Sequence, residues 1–259
     1  MISLKNVTAG YSGREIIKNI DVSFDKGTIT TIIGKNGCGK TTLLKTSSNL
    51  LKIMSGKILL NVNGKNLDLS NMKNQDIARH ISFLPQNKEV PNITVYSLVM
   101  HGRFPYLNFS RIPQKNDKKI VEESIELMGL EQFKNCNLKE LSGGQRQKSF
   151  IAMVLAQNTD IVFLDEPTTY LDINHQLEII ETVKNLKKLG KTVVMVLHDL
   201  NLAFSCSDKI CLMDNGHIAV NDVPEKVIKT GKINQIFNIR CVEASLENYS
   251  SKHYIFTLP

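Results

Sequence analysis

Residues 29–42 read Ile29-Thr30-Thr31-Ile32-Ile33-Gly34-Lys35-Asn36-Gly37-Cys38-Gly39-Lys40-Thr41-Thr42. Five β-branched residues in a row predict a short buried strand. From Gly34 the chain matches G-x-x-x-x-G-K-[ST], the pattern of a phosphate-binding loop. Glycines let the backbone curl until several N–H groups face phosphate oxygens, and a helix starting at Lys40 adds its positive N-terminal end. In such a loop Lys40 reaches the β- and γ-phosphates and Thr41 ligates Mg²⁺. The candidate nucleotide contacts are Gly34, Asn36, Gly37, Cys38, Gly39, Lys40, Thr41 and Thr42.

Two further stretches extend this reading. Ile161-Val162-Phe163-Leu164-Asp165-Glu166-Pro167 is an apolar run ending in two carboxylates. Carboxylates at the end of a buried strand are costly unless they do something. Asp165 is placed to hold Mg²⁺, and Glu166 to polarise an attacking water. Capping of a following helix by Asp165 is the plainer alternative. Leu141-Ser142-Gly143-Gly144-Gln145 opens a helix, with Ser142 a candidate N-cap. Two consecutive glycines also leave a bare helix N-terminus, an anion site. Nucleotide already has one cradle in this chain. The second makes sense if it meets the γ-phosphate bound to another copy.

The 259 residues allow one or two domains, and 42% hydrophobic with 22% charged residues is ordinary globular usage. No apolar stretch is long enough to cross a bilayer, and the N-terminus lacks the apolar core of a secretory signal. A cytosolic chain is expected, with any membrane role acting through a partner. The five cysteines, Cys38, Cys136, Cys206, Cys211 and Cys241, form no CxxC pair, which fits reduced thiols. The net charge of +7 is spread along the chain, and no nucleic-acid motif accompanies it.

Strands are expected at 2–7, 20–24, 29–33, 58–62, 81–84, 162–164 and 193–197, and helices at 40–51, 70–80, 94–102, 117–128, 143–157 and 174–189. The tail should carry one helix and two short strands, 239–243 and 254–258. The fold class is α/β: a P-loop NTPase core of mixed sheet flanked by helices, an N-terminal antiparallel β subdomain and an inserted α-helical subdomain. The core should comprise 1–86 and 157–223, the helical subdomain 87–156, and a small tail 224–259.

These motifs together resemble the ATP-binding subunit of an ABC transporter. The resemblance implies that Leu141–Gln145 is the signature motif contacting ATP in trans and that two subunits sandwich two ATP molecules. It further implies that His198, after Val193–Leu197, is the switch histidine touching the γ-phosphate. Gln86, after Phe83-Leu84-Pro85, senses Mg²⁺ and the attacking water. Tyr11 stacks on adenine, and Tyr170-Leu171-Asp172 forms the loop that crosses the dimer interface. Within the family, His101-Gly102-Arg103-Phe104-Pro105-Tyr106, Glu166–Ile173, His198-Asp199-Leu200-Asn201 and the tail from Val223 resemble bacterial importers of iron–siderophore complexes, haem and cobalamin. Lys35 departs from the family, where proline is common. The implied protein is an ATPase with Mg²⁺ as cofactor, peripheral at the cytoplasmic face of the membrane. Its implied partners are a second copy, membrane permease subunits and an extracytoplasmic substrate-binding protein. Residues 86–110, with Arg103, Phe104 and Tyr106 at the surface, are the expected permease-docking segment. A non-transport ABC ATPase of the cluster-assembly or translation type shares the ATP motifs and is the alternative. A regulatory module holding ATP without turnover is a third, which the intact Glu166 and His198 oppose.

Overall fold

A hairpin of two long strands begins the chain. β1 (Ile2–Tyr11) and β2 (Arg14–Phe24) pair antiparallel through Ser12-Gly13, whose φ values of 49° and 80° are those a tight hairpin turn requires. The computed structural model describes residues 1–86, 88–107, 112–169, 171–244 and 253–259. The chain divides into two compact units, Met1–Met72 with Val183–Pro259, and Lys73–Thr182.

In the first unit, β3 (Ile29–Ile33) is buried along its whole length, and α1 (Lys40–Ser47) follows the glycine-rich loop. β4 (Ile53–Val62) and β5 (Lys65–Asp68) join β1 and β2 in an antiparallel sheet of order β2-β1-β4-β5. The sequence places a helix over 40–51, but α1 stops at Ser47. Asn49 takes a left-handed φ of 60°, and the peptide N–H groups of Leu50 and Leu51 turn back to the carbonyl of Lys45.

The second unit contains α2 (Asn74–His80), β6 (Ile81–Leu84), α3 (Val95–His101), α4 (Lys115–Leu127), α5 (Gly143–Ala156) and β7 (Ile161–Asp165). The first half of α6 (Ile173–Lys188) belongs to it as well. The expected helix over 70–80 is broken: a 3-10 turn covers Leu69–Asn71, and Met72 and Lys73 are extended before α2. β6 and β7 run parallel from Ile81↔Ile161 to Leu84↔Leu164, so Gln86 and Glu166 follow the same end of the pair. α3, α4 and α5 pack on one another around Val95, Val99, Val121, Ile125 and Ile151, all buried.

Arg103 departs from its expected place at the surface. It is 4% exposed and bonds Asp117 through Nε at 3.0 Å and the carbonyl of Ala156 through Nη1 at 2.8 Å. Its guanidinium lies 4.0 Å from the centre of the Tyr106 ring. The Asp117 carboxylate also accepts from the peptide N–H of Gln114, 2.9 Å away, capping α4. The charge that looked like a docking residue ties three segments of its own unit together. Phe104, 48% exposed, is the aromatic that does face solvent.

The chain then returns to the first unit. β8 (Thr192–Val196), α7 (Leu200–Cys206), β9 (Lys209–Asp214) and β10 (His217–Asp222) complete a mixed sheet: β3 pairs parallel with β8 on one side and β9 on the other, and β10 is antiparallel to β9. β8 is buried throughout, as a parallel strand covered on both faces must be. The tail carries two short helices where one was expected, α8 (Pro224–Lys229) and α9 (Lys232–Phe237). The left-handed Gly231, at φ 69°, separates them. β11 (Arg240–Ala244) and β12 (His253–Thr257) pair antiparallel, and Tyr254 and Phe256 meet Phe204 of α7 edge-on at 5.4 Å. Among the described residues no helix is long and apolar enough to cross a membrane.

Candidate nucleotide and water-activating site

The loop from Gly34 to Gly39 leaves β3 at its C-terminal end, where ligands gather in open α/β sheets. Two of its glycines are sterically required. A β-carbon at Gly34 would lie 2.5 Å from the Met213 carbonyl oxygen and 2.7 Å from the Cys38 sulfur, and one at Gly39 would lie 2.9 Å from Ile17. Gly37 has open space around it but a φ of 79°, so its constraint is conformational. Asn36 is exposed, while Thr42 packs inward.

Lys40, only 6% exposed, folds back over the loop and donates to the carbonyls of Gly34 at 2.8 Å and Lys35 at 3.0 Å. The left-handed Gly39 precedes α1 and supplies no side-chain cap. The first-turn N–H groups of α1 are thus presented along with the ammonium group. Cys38 is buried beside Lys40. Burial pushes its thiol up, with the lysine charge opposing, so the loop amides do not make it a reactive thiolate. Its carbonyl accepts from the Gly216 N–H at 3.0 Å, seating the loop on the β9–β10 turn. Tyr11, 45% exposed, closes the β1–β2 hairpin. His198 is exposed just past β8, at the same edge of the sheet as the loop, because β8 and β3 are parallel neighbours. Asp199 caps α7, accepting from the Leu202 N–H at 3.0 Å.

The second unit carries the carboxylates. Asp165, 1% exposed, ends β7. Glu166 follows in a left-handed conformation with φ 50°, at a cost of about 1–2 kcal/mol for a residue with a β-carbon. Its side chain is held from two directions. Gln86 Nε2 donates to Oε2 at 2.5 Å, and Thr169 Oγ1 donates to the same oxygen at 3.1 Å. Strain at such a point is what a site that aims a reactive group stores. The structure therefore brings together Gln86 and Glu166, 80 residues apart in the chain.

Sequence reasoning missed the groups that brace this turn. Gln147 of α5 donates through Nε2 to the Pro167 carbonyl at 2.6 Å and accepts at Oε1 from Lys88 Nζ at 2.6 Å. Burial pushes the Lys88 amine down to about 8, against the opposing pull of Asp165. No local pattern marks Lys88, Gln147 or Thr169; only the tertiary fold assembles them.

At the start of α5, Ser142 accepts from the Gln145 N–H at 3.3 Å while Gln145 Oε1 accepts from the Ser142 N–H at 3.0 Å. That is a reciprocal cap, so Ser142 does cap the helix. Leu141 is buried below, and Arg146 bonds the carbonyls of Leu138 and Leu141 at 3.2 and 3.0 Å. Gly143 is open, whereas Gly144 lies under the ring of His175. Leu171 accepts from Gln176 at 2.9 Å, and Asp172 accepts from His175. Tyr170, the remaining residue of the expected interface loop, lies outside the described residues.

Comparison with known proteins places this arrangement. The sequence model described as ABC transporter matches residues 17–169. The chain belongs to the ABC transporter family. It is 38% identical over 242 residues to the achromobactin transport ATP-binding protein of Dickeya dadantii, covering 93% of this chain and 88% of that one. It is 40% identical over 241 residues to the iron(3+)-hydroxamate import ATP-binding protein of Bacillus subtilis, covering 92% and 88%. A dimeric ATP-binding cassette bound to ADP and Pi in a post-hydrolysis state superposes with a TM-score of 0.75 at 27% identity, over 86% of this chain and 99% of that one. A metal-chelate type ABC transporter in an inward-facing conformation gives 0.83 over 98% and 96%, at 23% identity, and so speaks to fold alone. The chain is an ATPase of this family, built on a P-loop NTPase fold with an antiparallel β subdomain.

Proposed function

We propose that this chain hydrolyses ATP in a dimer of two copies to drive import of an iron chelate of the siderophore class through separate membrane permease subunits. The observation that carries the chemistry is Glu166, aimed by Gln86 and Thr169 from the end of a buried strand. The loop amides, the α1 N-terminus and Lys40 bind the β- and γ-phosphates, and Lys40 leaves its carbonyl partners for them. Tyr11 offers an exposed ring for the adenine.

The donor set suits Mg²⁺. The Thr41 hydroxyl, the Asp165 carboxylate and the Gln86 amide oxygen are hard oxygen ligands. Mg²⁺ is typically bound by one or two carboxylates plus substrate phosphates and keeps several waters. When bound, the ion neutralises charge on the phosphate oxygens. Glu166 orients the attacking water and draws its proton, and Gln86 fixes the rotamer from which it does so. Lys40, His198 and the Ser142–Gly144 turn of the partner copy stabilise charge on the transferred group.

The siderophore class rests on the relatives, whose names specify achromobactin and iron(3+)-hydroxamate transport. The reading includes permease docking within residues 86–110, an extracytoplasmic binding protein acting through the permease, and a position at the cytoplasmic face of the membrane. The core of 1–86 and 157–223, the helical subdomain of 87–156 and the tail of 224–259 are its working parts. Deleting the gene and measuring uptake of ⁵⁵Fe-labelled siderophores, labelled haem and labelled cobalamin tests the assignment. Loss of one ferric siderophore, restored by the wild-type gene and not by Glu166→Gln, is expected. Unchanged siderophore uptake with loss of haem or cobalamin would move the substrate class.

A further inference from the structure

Two adjacent glycines at the start of α5 meet different surroundings. A β-carbon on Gly143 would meet nothing within 4 Å, but one on Gly144 would lie 2.7, 2.8 and 2.9 Å from Cδ2, Nε2 and Cγ of His175. The same imidazole turns Nδ1 to the Asp172 carboxylate, 2.8 Å from each oxygen, and the His175 peptide N–H donates to Oδ1 at 2.9 Å. An ionised carboxylate only accepts, so Nδ1 carries the proton. One turn further along both helices, Lys148 of α5 pairs with Glu178 of α6 at 2.6 Å. His175 is thus wedged between the Asp172 turn and the first turn of α5.

We propose that His175 is a positioning residue for the nucleotide sandwich: its imidazole sets the spacing between Asp172 and the first turn of α5, so that a second copy of the chain meets both as one preformed surface. The inference rests on the sandwich reading above and adds a residue that the motifs do not assign. It also gives Gly144 a cause inside its own chain, since only glycine leaves room for the ring, while Gly143 faces open space. Asp172 itself is 63% exposed and available to a partner. Its carboxyl is held low first by the His175 peptide N–H and then by the ring.

Two measurements test this. Thermal melts of Gly144→Ala, His175→Ala and the double variant ask whether the ring and glycine are coupled. Gly144→Ala should melt well below wild type in the presence of His175 and close to its parent once His175 is alanine. Equal shifts in both backgrounds would refute the packing. Steady-state ATPase and sedimentation with Mg·ATP in the Glu166→Gln background then ask for the positioning role. His175→Ala should keep monomer ATP affinity within about twofold while kcat falls about ten- to a hundredfold, the loss expected of a misplaced group, and dimerisation weakens. His175→Asn, which keeps a donor for Asp172, should recover part of kcat. A His175→Ala chain that melts lower yet turns over and dimerises like wild type overturns the proposal. A Glu166→Gln parent that stays monomeric at saturating ATP overturns the sandwich and this inference with it.

Discussion

The amide of Gln86 and the carboxylate of Glu166 are joined by a 2.5 Å hydrogen bond between the ends of two parallel strands. Whatever moves the loop after β6 therefore moves the group expected to activate water. Replacing Glu166 by Gln keeps the shape of this contact and removes the base. We expect Glu166→Gln to bind ATP with unchanged affinity and to lose turnover by about a hundredfold or more, the weight of a general base. Gln86→Ala should fall between that variant and wild type. Phosphate-release assays beside equilibrium nucleotide binding check both, and near-wild-type turnover in Glu166→Gln would remove the residue from its role.

Lys40→Ala should fail at an earlier step. The ammonium group is already poised over the loop by two carbonyls, so its loss should appear as absent nucleotide binding. The same titration separates the loop glycines. Gly34→Ala forces a β-carbon against the Met213 carbonyl and should abolish binding and lower the melting temperature. Gly37→Ala meets only its left-handed φ, a penalty of about 1–2 kcal/mol, and should bind weakly but measurably.

Arg103→Ala should destabilise the chain by about 3–5 kcal/mol, because Asp117 would be left as a buried charge without its ion pair. Phe104→Ala should leave the unfolding midpoint in urea close to wild type. If Arg103→Ala unfolds at the wild-type denaturant concentration, the ion pair does not stabilise the fold.

Alkali should weaken the fold through two thiols. Burial pushes Cys206 to about 11 and Cys211 to about 12. Between the ordinary thiol value and these, the unfolded chain has lost protons that the folded chain keeps. Stability therefore falls as pH rises above 9.0, by about 1.4 kcal/mol for each unit of separation. At neutral pH neither state is ionised and the effect vanishes. Urea midpoints measured from neutral to alkaline pH should drop less steeply for Cys211→Ala than for wild type, and parallel curves would exclude the effect.

Much of this architecture was legible where local chemistry decides it. Ile29–Ile33, Val162–Leu164 and Val193–Leu197 read as buried strands because continuous β-branched and apolar residues permit little else, and the glycine spacing after Ile33 dictates its loop. Ser142 read as a cap for the same local reason. Arg103 was misread because its partner lies 14 residues ahead, a separation that no local spacing rule links. β10 was not anticipated because the half-buried residues of His217–Asp222 carry weak alternation; β9 was missed although its apolar run Ile210–Met213 is buried throughout. The bracing of Glu166 by Gln86 and Thr169, and of Pro167 by Gln147 and Lys88, became visible only in three dimensions.

The Gly216 peptide is shared by two structures: its carbonyl accepts from Lys18 of β2 at 3.0 Å, and its N–H donates to Cys38 in the phosphate loop at 3.0 Å. A β-carbon there would strike the Ile16 carbonyl at 2.3 Å, so this seam admits no side chain. The neighbouring Asn215 is exposed. An environment-sensitive dye attached at 215 would sit one residue from the loop's rear wall and clear of every group assigned to chemistry. It would give a real-time optical readout of nucleotide arrival and departure in an otherwise unaltered enzyme.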